Sequence, residues 1–294
     1  MGSRIESGIR SGLLSLAFAA SLLPGPARAL NMVVGDVTVT DLTSYGFTRF
    51  TSALTFDGGA TDQVYEMFGY LGTSAGTVRI DASNFAEVSA ISRAGNTAQS
   101  TLSLSAPAAA ALGLSAGDIL VDYAFALLDD TTPVDEDGFS WDVTLRNTTG
   151  ADIAVTLYTY LDLDLGGATD WNDDLATIDL QRAVVTDADD PSALFVWNLG
   201  VVGGADHFEL GSYPGVQNTL DTMGPAANLS DAVTSFGPGD FTAAYQFDQL
   251  VPAGGATTIV SSTNAVPEPN SAVLTGIGLI GLTLYGRRRK LPLS

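Results

Sequence analysis

Two stretches of alternation limit this chain more than any other feature in it. Phe139, Trp141, Val143 and Leu145 recur at every second position, and Leu157, Leu161, Leu163 and Leu165 keep to the same parity within 153–165. Successive side chains of a strand point to opposite faces, so this period puts each apolar set on one side of a β-strand and does not suit a helix. Between them, Asn147-Thr148-Thr149-Gly150 is turn chemistry. The spacing predicts a hairpin of two long strands at the centre of a sandwich sheet.

The same grammar continues along the body of the chain. Strand-like runs bounded by Gly, Asn, Asp or Pro fall at 37–40, 48–57, 63–71, 76–80, 87–92, 98–106, 119–128, 176–186, 193–199, 207–210, 233–236, 241–251 and 257–261. Residues 211–228, rich in Gly, Pro and Asn, read as loop. The one helical signal in the body is the Ala-rich run 107–114, opened by Pro107 and read as a crossover between sheets. The expected fold class is all-β: a large antiparallel β-sandwich, flanked by an N-terminal signal-peptide helix and a C-terminal hydrophobic helix. A split into two smaller sandwiches near 107–117 is the alternative.

The chain has no cysteine, so an exported form must rely on a buried core rather than on disulfides. That also removes thiol nucleophiles and Cys-based metal sites. All but Glu6 and Glu268 of its 33 acids lie within 30–266, where the only bases are Arg49, Arg79, Arg93, Arg146 and Arg182. A body this acidic repels nucleic acid, which leaves no nucleic-acid partner, and favours cations or basic partners; solubility alone would also account for the charge.

Both ends read as targeting segments. Arg4 and Arg10 precede an apolar run at 13–23; Pro24-Gly25-Pro26 breaks it, and Ala27-Arg28-Ala29 has the form of a signal-peptidase site. At the other end Pro267-Glu268-Pro269 precedes an uncharged run, 271–285, and then Arg287, Arg288, Arg289 and Lys290. As a helix that run measures ~22 Å at ~1.5 Å per residue, short of a bilayer core of roughly 30 Å. The basic cluster acts as a membrane stop, snorkels and stays cytoplasmic. The prolines keep the residues before the run extended, in a form a processing enzyme can bind.

In this order and position, the three parts resemble the PEP-CTERM sorting signal of Gram-negative bacteria. The resemblance rests on residues 265–290 alone. It implies recognition of Pro267, Glu268 and Pro269 by an exosortase-type membrane processing enzyme, a multi-pass cysteine protease or transpeptidase. It also implies an association with extracellular polysaccharide, beside whose genes such substrates are often encoded. An ordinary single-pass anchor with a proline hinge is the other reading. The expected organisation is a signal peptide over 1–29, a β-sandwich domain over 30–264, the sorting and membrane segment over 265–290 and a cytoplasmic end over 291–294. The inner membrane is then a partner through the C-terminal helix. The expected product is an exported cell-surface or matrix-associated protein, transiently tethered and non-enzymatic. The alternative is a carbohydrate-binding or polysaccharide-active β-sandwich domain.

Within the body, 158–174 is the sharpest candidate site. If the leucines of 157–165 face the core, Tyr158, Tyr160, Asp162 and Asp164 share the opposite face, and the next loop adds Asp170, Trp171, Asp173 and Asp174. Three readings stand side by side. Asp162, Asp164, Asp170, Asp173 and Asp174 offer enough oxygens for calcium if the loop folds back, although their spacing is not that of an EF-hand. Tyr158, Tyr160 and Trp171 offer stacking faces for a sugar. An ordinary solvated face with an acidic turn needs neither. Acidic clusters at 129–137 and 187–190 read more simply as turns. The single histidine, His207, lies beside Asp206 and Glu209 and reads as a strand-edge residue rather than part of a catalytic triad. Trp141 and Trp197 are expected in the core.

Overall fold

A computed structural model describes residues 29–35, 37–47, 52–55, 63–128, 137–165, 171–189, 194–201 and 204–266. The signal peptide, the sorting motif at Pro267, Glu268 and Pro269, the apolar run and the basic cluster Arg287 to Lys290 lie outside these residues, as do both expected flanking helices. Among the described residues no helix is long and apolar enough to cross a membrane.

The fold is an all-β antiparallel sandwich. A nine-stranded sheet runs β15 (Ser235–Gly239), β11 (Asp174–Ile178), β12 (Arg182–Asp187), β13 (Leu194–Leu199), β17 (Ala256–Val266), β9 (Asp137–Asn147), β8 (Ile119–Leu128), β7 (Thr97–Leu104) and β6 (Phe85–Ala94). A five-stranded sheet runs β14 (His207–Ser212), β16 (Phe241–Val251), β10 (Ile153–Leu163), β4 (Val64–Gly72) and β5 (Thr77–Arg79). A small third sheet holds β1 (Leu30–Val34), β2 (Val37–Leu42) and β3 (Ala53–Thr55).

Side chains from both large sheets form one buried core, including Val121, Trp141 and Leu145 from the first and Leu157, Leu161 and Phe247 from the second. Trp197 and Tyr245 meet across the gap edge to face, with ring centroids 4.7 Å apart, an arrangement aromatic pairs favour. Gly69 permits a close approach: a Cβ there would come within 3.1–3.3 Å of Ile80, Tyr123 and the Tyr158 carbonyl.

The structure corrects the expected hairpin. β9 and β10 are each central, but in different sheets, and the turn between them is a corner rather than a hairpin loop. Asn147 makes the corner. Its buried side chain donates to the carbonyls of Ala151 (2.7 Å) and Val251 (3.1 Å) and accepts from the Thr149 amide (2.8 Å). Alternation fixes which side of a strand is apolar, not which neighbour it pairs with, so a corner and a hairpin look alike in sequence.

The Ala-rich segment forms α1 (Ala106–Ala111), with Ser105 as N-cap and Pro107 in its first turn. It joins β7 to β8, which are neighbours in one sheet, so it is not a crossover between sheets. The expected strand 176–186 is two strands. Asp179 accepts from the amides of Gln181 (2.7 Å) and Arg182 (3.0 Å) and turns β11 back into β12. The segment 211–228 is not all loop, since it contains α2 (Gly215–Asp221), which buries Val216 and Leu220.

Candidate metal centre

Helix α2 changes the meaning of the outer face of β10. Tyr158 and Tyr160 do not face solvent. They join Phe68, Tyr70, Val216, Leu220, Leu229 and Ala244 in a second buried cluster. Tyr160 stacks on Phe68 with centroids 4.7 Å apart, and the Arg79 guanidinium lies 3.5 Å from the centre of the Phe68 ring. The phenols are used within the fold: Tyr70 donates to Asp221 (2.6 Å) and Tyr158 to the Ala227 carbonyl (3.0 Å). Of the three aromatics expected to stack on a sugar, only Trp171 is exposed, at 42%. Trp141 and Trp197 are buried in the main core.

One step further along this face the chemistry turns acidic. Asp162 follows Tyr160 by one strand period, is 1% exposed, and stands opposite Glu66 on β4 and Thr242 on β16. Asp164 lies just past the end of β10, where its amide donates to the Gln63 carbonyl (3.3 Å). Asp240 is the single residue between β15 and β16, where the chain passes from the nine-stranded to the five-stranded sheet. One carboxylate oxygen from each of Asp162, Asp164 and Asp240 lies within 4.8 Å of the others.

Asp174 adjoins them from the other sheet. It opens β11, is fully buried, and pairs with Gly239, next to Asp240. This close approach needs Gly237, whose φ is +107° and whose Cβ would fall 2.1 Å from the Asp174 carbonyl oxygen. Of the five acids expected to bind calcium, then, Asp162 and Asp164 meet in one cluster, and Asp173 and Asp174 border it. Asp170 lies outside the described residues. Asp240 was not anticipated from sequence; its one visible sign is an acid between Gly239 and a new strand at Phe241.

The electrostatics are unfavourable to bare carboxylates. Burial, then Asp164, Asp240 and Glu66, push the Asp162 carboxyl up to about 9, although the Tyr160 hydroxyl donates to it at 3.3 Å. Burial, then Asp164, Asp173 and Asp187, push Asp174 up to about 8, eased slightly by the Phe241 amide. Burial raises Asp240 to about 6. Among the described residues the nearest ion pair is Arg79 with Glu66, at 3.8 Å. Asp162 Oδ1 and both Asp174 carboxylate oxygens are buried with no hydrogen bond of normal geometry among the described residues. Such a group asks either for a proton or for a cation. Calcium–oxygen distances of ~2.4 Å set oxygens on opposite sides of an ion ~4.8 Å apart, so three oxygens this close can reach one ion.

The other clusters carry less. Asp187 accepts from the Asp189 amide (2.7 Å), a turn contact, and the acids at 129–136 lie outside the described residues. His207, on the edge strand β14, pairs with Asp231 at 2.5 Å. The string Gly72-Thr73-Ser74-Ala75-Gly76 matches the Gly-x-Ser-x-Gly pattern of hydrolase nucleophiles. It is the turn between β4 and β5, closed by the Thr73 amide on the Gly76 carbonyl (2.8 Å), and not the strand-to-helix elbow that chemistry needs.

No protein-family model and no curated protein matches the chain. Among solved structures it is similar to a putative kojibiose phosphorylase from human microbiome, at 10% identity and a TM-score of 0.44, over 90% of this chain and 33% of that one. The chain spans about a third of that protein's length, and no chemistry is carried over at this level of similarity.

Proposed function

We propose that this is an exported, non-enzymatic β-sandwich protein of the cell surface or extracellular matrix, sorted through its C-terminal segment. An exosortase-type enzyme reads Pro267, Glu268 and Pro269 while the apolar run holds the chain in the inner membrane. The observation that carries the reading is the ordered tail: proline–acid–proline, apolar run, basic stop. In the fold, β17 runs as far as Val266, the residue before the motif.

The test follows the full-length protein in its native host by fractionation and by intact mass. Alanine at Pro267, Glu268 and Pro269 should retain the chain in the inner membrane at its full tail mass. Unchanged location and mass in that variant would overturn the reading. The carbohydrate reading retains the exposed Trp171 as its one favourable observation, because Tyr158 and Tyr160 are enclosed. A glycan array and a hydrolysis screen on the full chain, with Trp171→Ala as control, decide that second reading.

A further inference from the structure

The acidic corner is more than a patch of like charge. Surface acids repel each other weakly through water, whereas Asp162 and Asp174 are almost completely buried. They reach the corner from different sheets, and so does the link that carries Asp240. Among the described residues, Asp162 Oδ1 also lacks the hydrogen bond that a permanently protonated carboxyl would make with a neighbour.

We infer that Asp162, Asp164 and Asp240, with Asp174 beside them, form a calcium site that fastens the two sheets together where the chain crosses between them. The oxygen-only donor set suits a hard cation, and the absence of cysteine, together with a single histidine engaged by Asp231, leaves softer metals poorly served. Calcium fits better than magnesium: it accepts irregular shells of six to eight oxygens, whereas magnesium demands a small octahedron and keeps its waters. Asp162, at 1% exposure, is closed to a sugar ring. A site of this kind binds calcium outside the cytoplasm, where modules with dissociation constants of ~0.1–1 mM are filled. The inference does not depend on the tail reading; sorting is read out as location, and this site as stability.

The test uses the full chain in detergent, stripped with chelator and dialysed. Thermal unfolding is followed as calcium chloride is added, with magnesium chloride in parallel, and equilibrium dialysis counts bound ions. The expected result is one calcium per chain and a midpoint rise of about 5 °C or more at 100-fold excess over the dissociation constant. Asp162→Asn and Asp240→Asn should abolish the rise, while Asp189→Asn keeps it. Asp162→Asn should also unfold at a higher temperature than the chelated parent, because the amide fills the same buried space without a carboxylate's need for a proton or a cation; a merely misfolded variant would unfold lower. No bound calcium and no shift at about 10 mM, far above the expected range, would overturn the inference. So would an equal response to magnesium, or a calcium response that survives in both variants.

Discussion

The two faces of β10 carry the same alternation and end in opposite circumstances. One face places Leu157, Leu161 and Leu163 in the common core between the large sheets. The other places Tyr158 and Tyr160 under α2 and then, at its far end, Asp162 among other acids. Both faces are buried, but the first excludes water by shape alone and the second by specific polar contacts. Buried aliphatic packing tolerates no polar error, whereas a covered polar face works only if each group finds a partner. The acidic end is where partners run short.

The comparison can be broken most forcefully on the aliphatic face. Leu161→Ala should cost about 2–5 kcal/mol, the range for a core leucine truncated to alanine, read from urea unfolding of the full chain. A loss well under about 1 kcal/mol would mean that the common core is looser than its burial implies. On the covered face, Leu220→Ala should cost less, about 2 kcal/mol, since a short surface helix can settle into the gap. Its distinctive outcome is faster amide exchange in α2 while β9 and β10 keep their protection. If all three elements lose protection together, the second cluster is not separable from the first.

Tyr70→Phe isolates one polar contact of the covered face. It removes the bond to Asp221, at 2.6 Å, and should lower stability by about 1 kcal/mol, with α2 loosened as in Leu220→Ala but less so. The smallest effect lies on the nine-stranded sheet. Asp142 projects from the outer side of β9, and burial raises its carboxyl above the ordinary range. The folded state therefore holds that proton to higher pH than the unfolded chain does. Stability from this group is greatest below pH ~4 and is lost as pH rises through the folded value. Asp142→Asn should flatten that part of the stability profile slightly, in denaturant series taken from pH 4 to 7. An unchanged slope would show that Asp142 is as well hydrated as a free carboxylate.

Much of the secondary structure was legible because alternation and turn residues are local. α1 was visible for the same reason, an alanine run opened by Pro107. Pairing was less legible. Nothing local distinguishes the Asn147 corner from a hairpin, because the decisive contact is with the distant Val251 carbonyl. α2 was hidden by its composition: Gly215, Asn218 and Thr219 are poor helix formers, and only the four-residue spacing of Val216 and Leu220 betrays a buried side. Its cover over Tyr158 and Tyr160 is what turned an expected solvent face into a second core. In the acidic corner, Asp162 and Asp164 could be paired from strand period. Asp240 could not, since it arrives through the link between β15 and β16, whose position depends on the whole topology.

β17 lies fifth of nine in its sheet, flanked by β13 and β9, and bonds to β9 from Ala256 to Ala265 and to β13 as far as Val266. A load applied through the residues after Val266 would therefore pull lengthwise on a strand held along both sides. Resistance would come from many backbone bonds strained at once, as in a lap joint, instead of one pair at a time as in a zip.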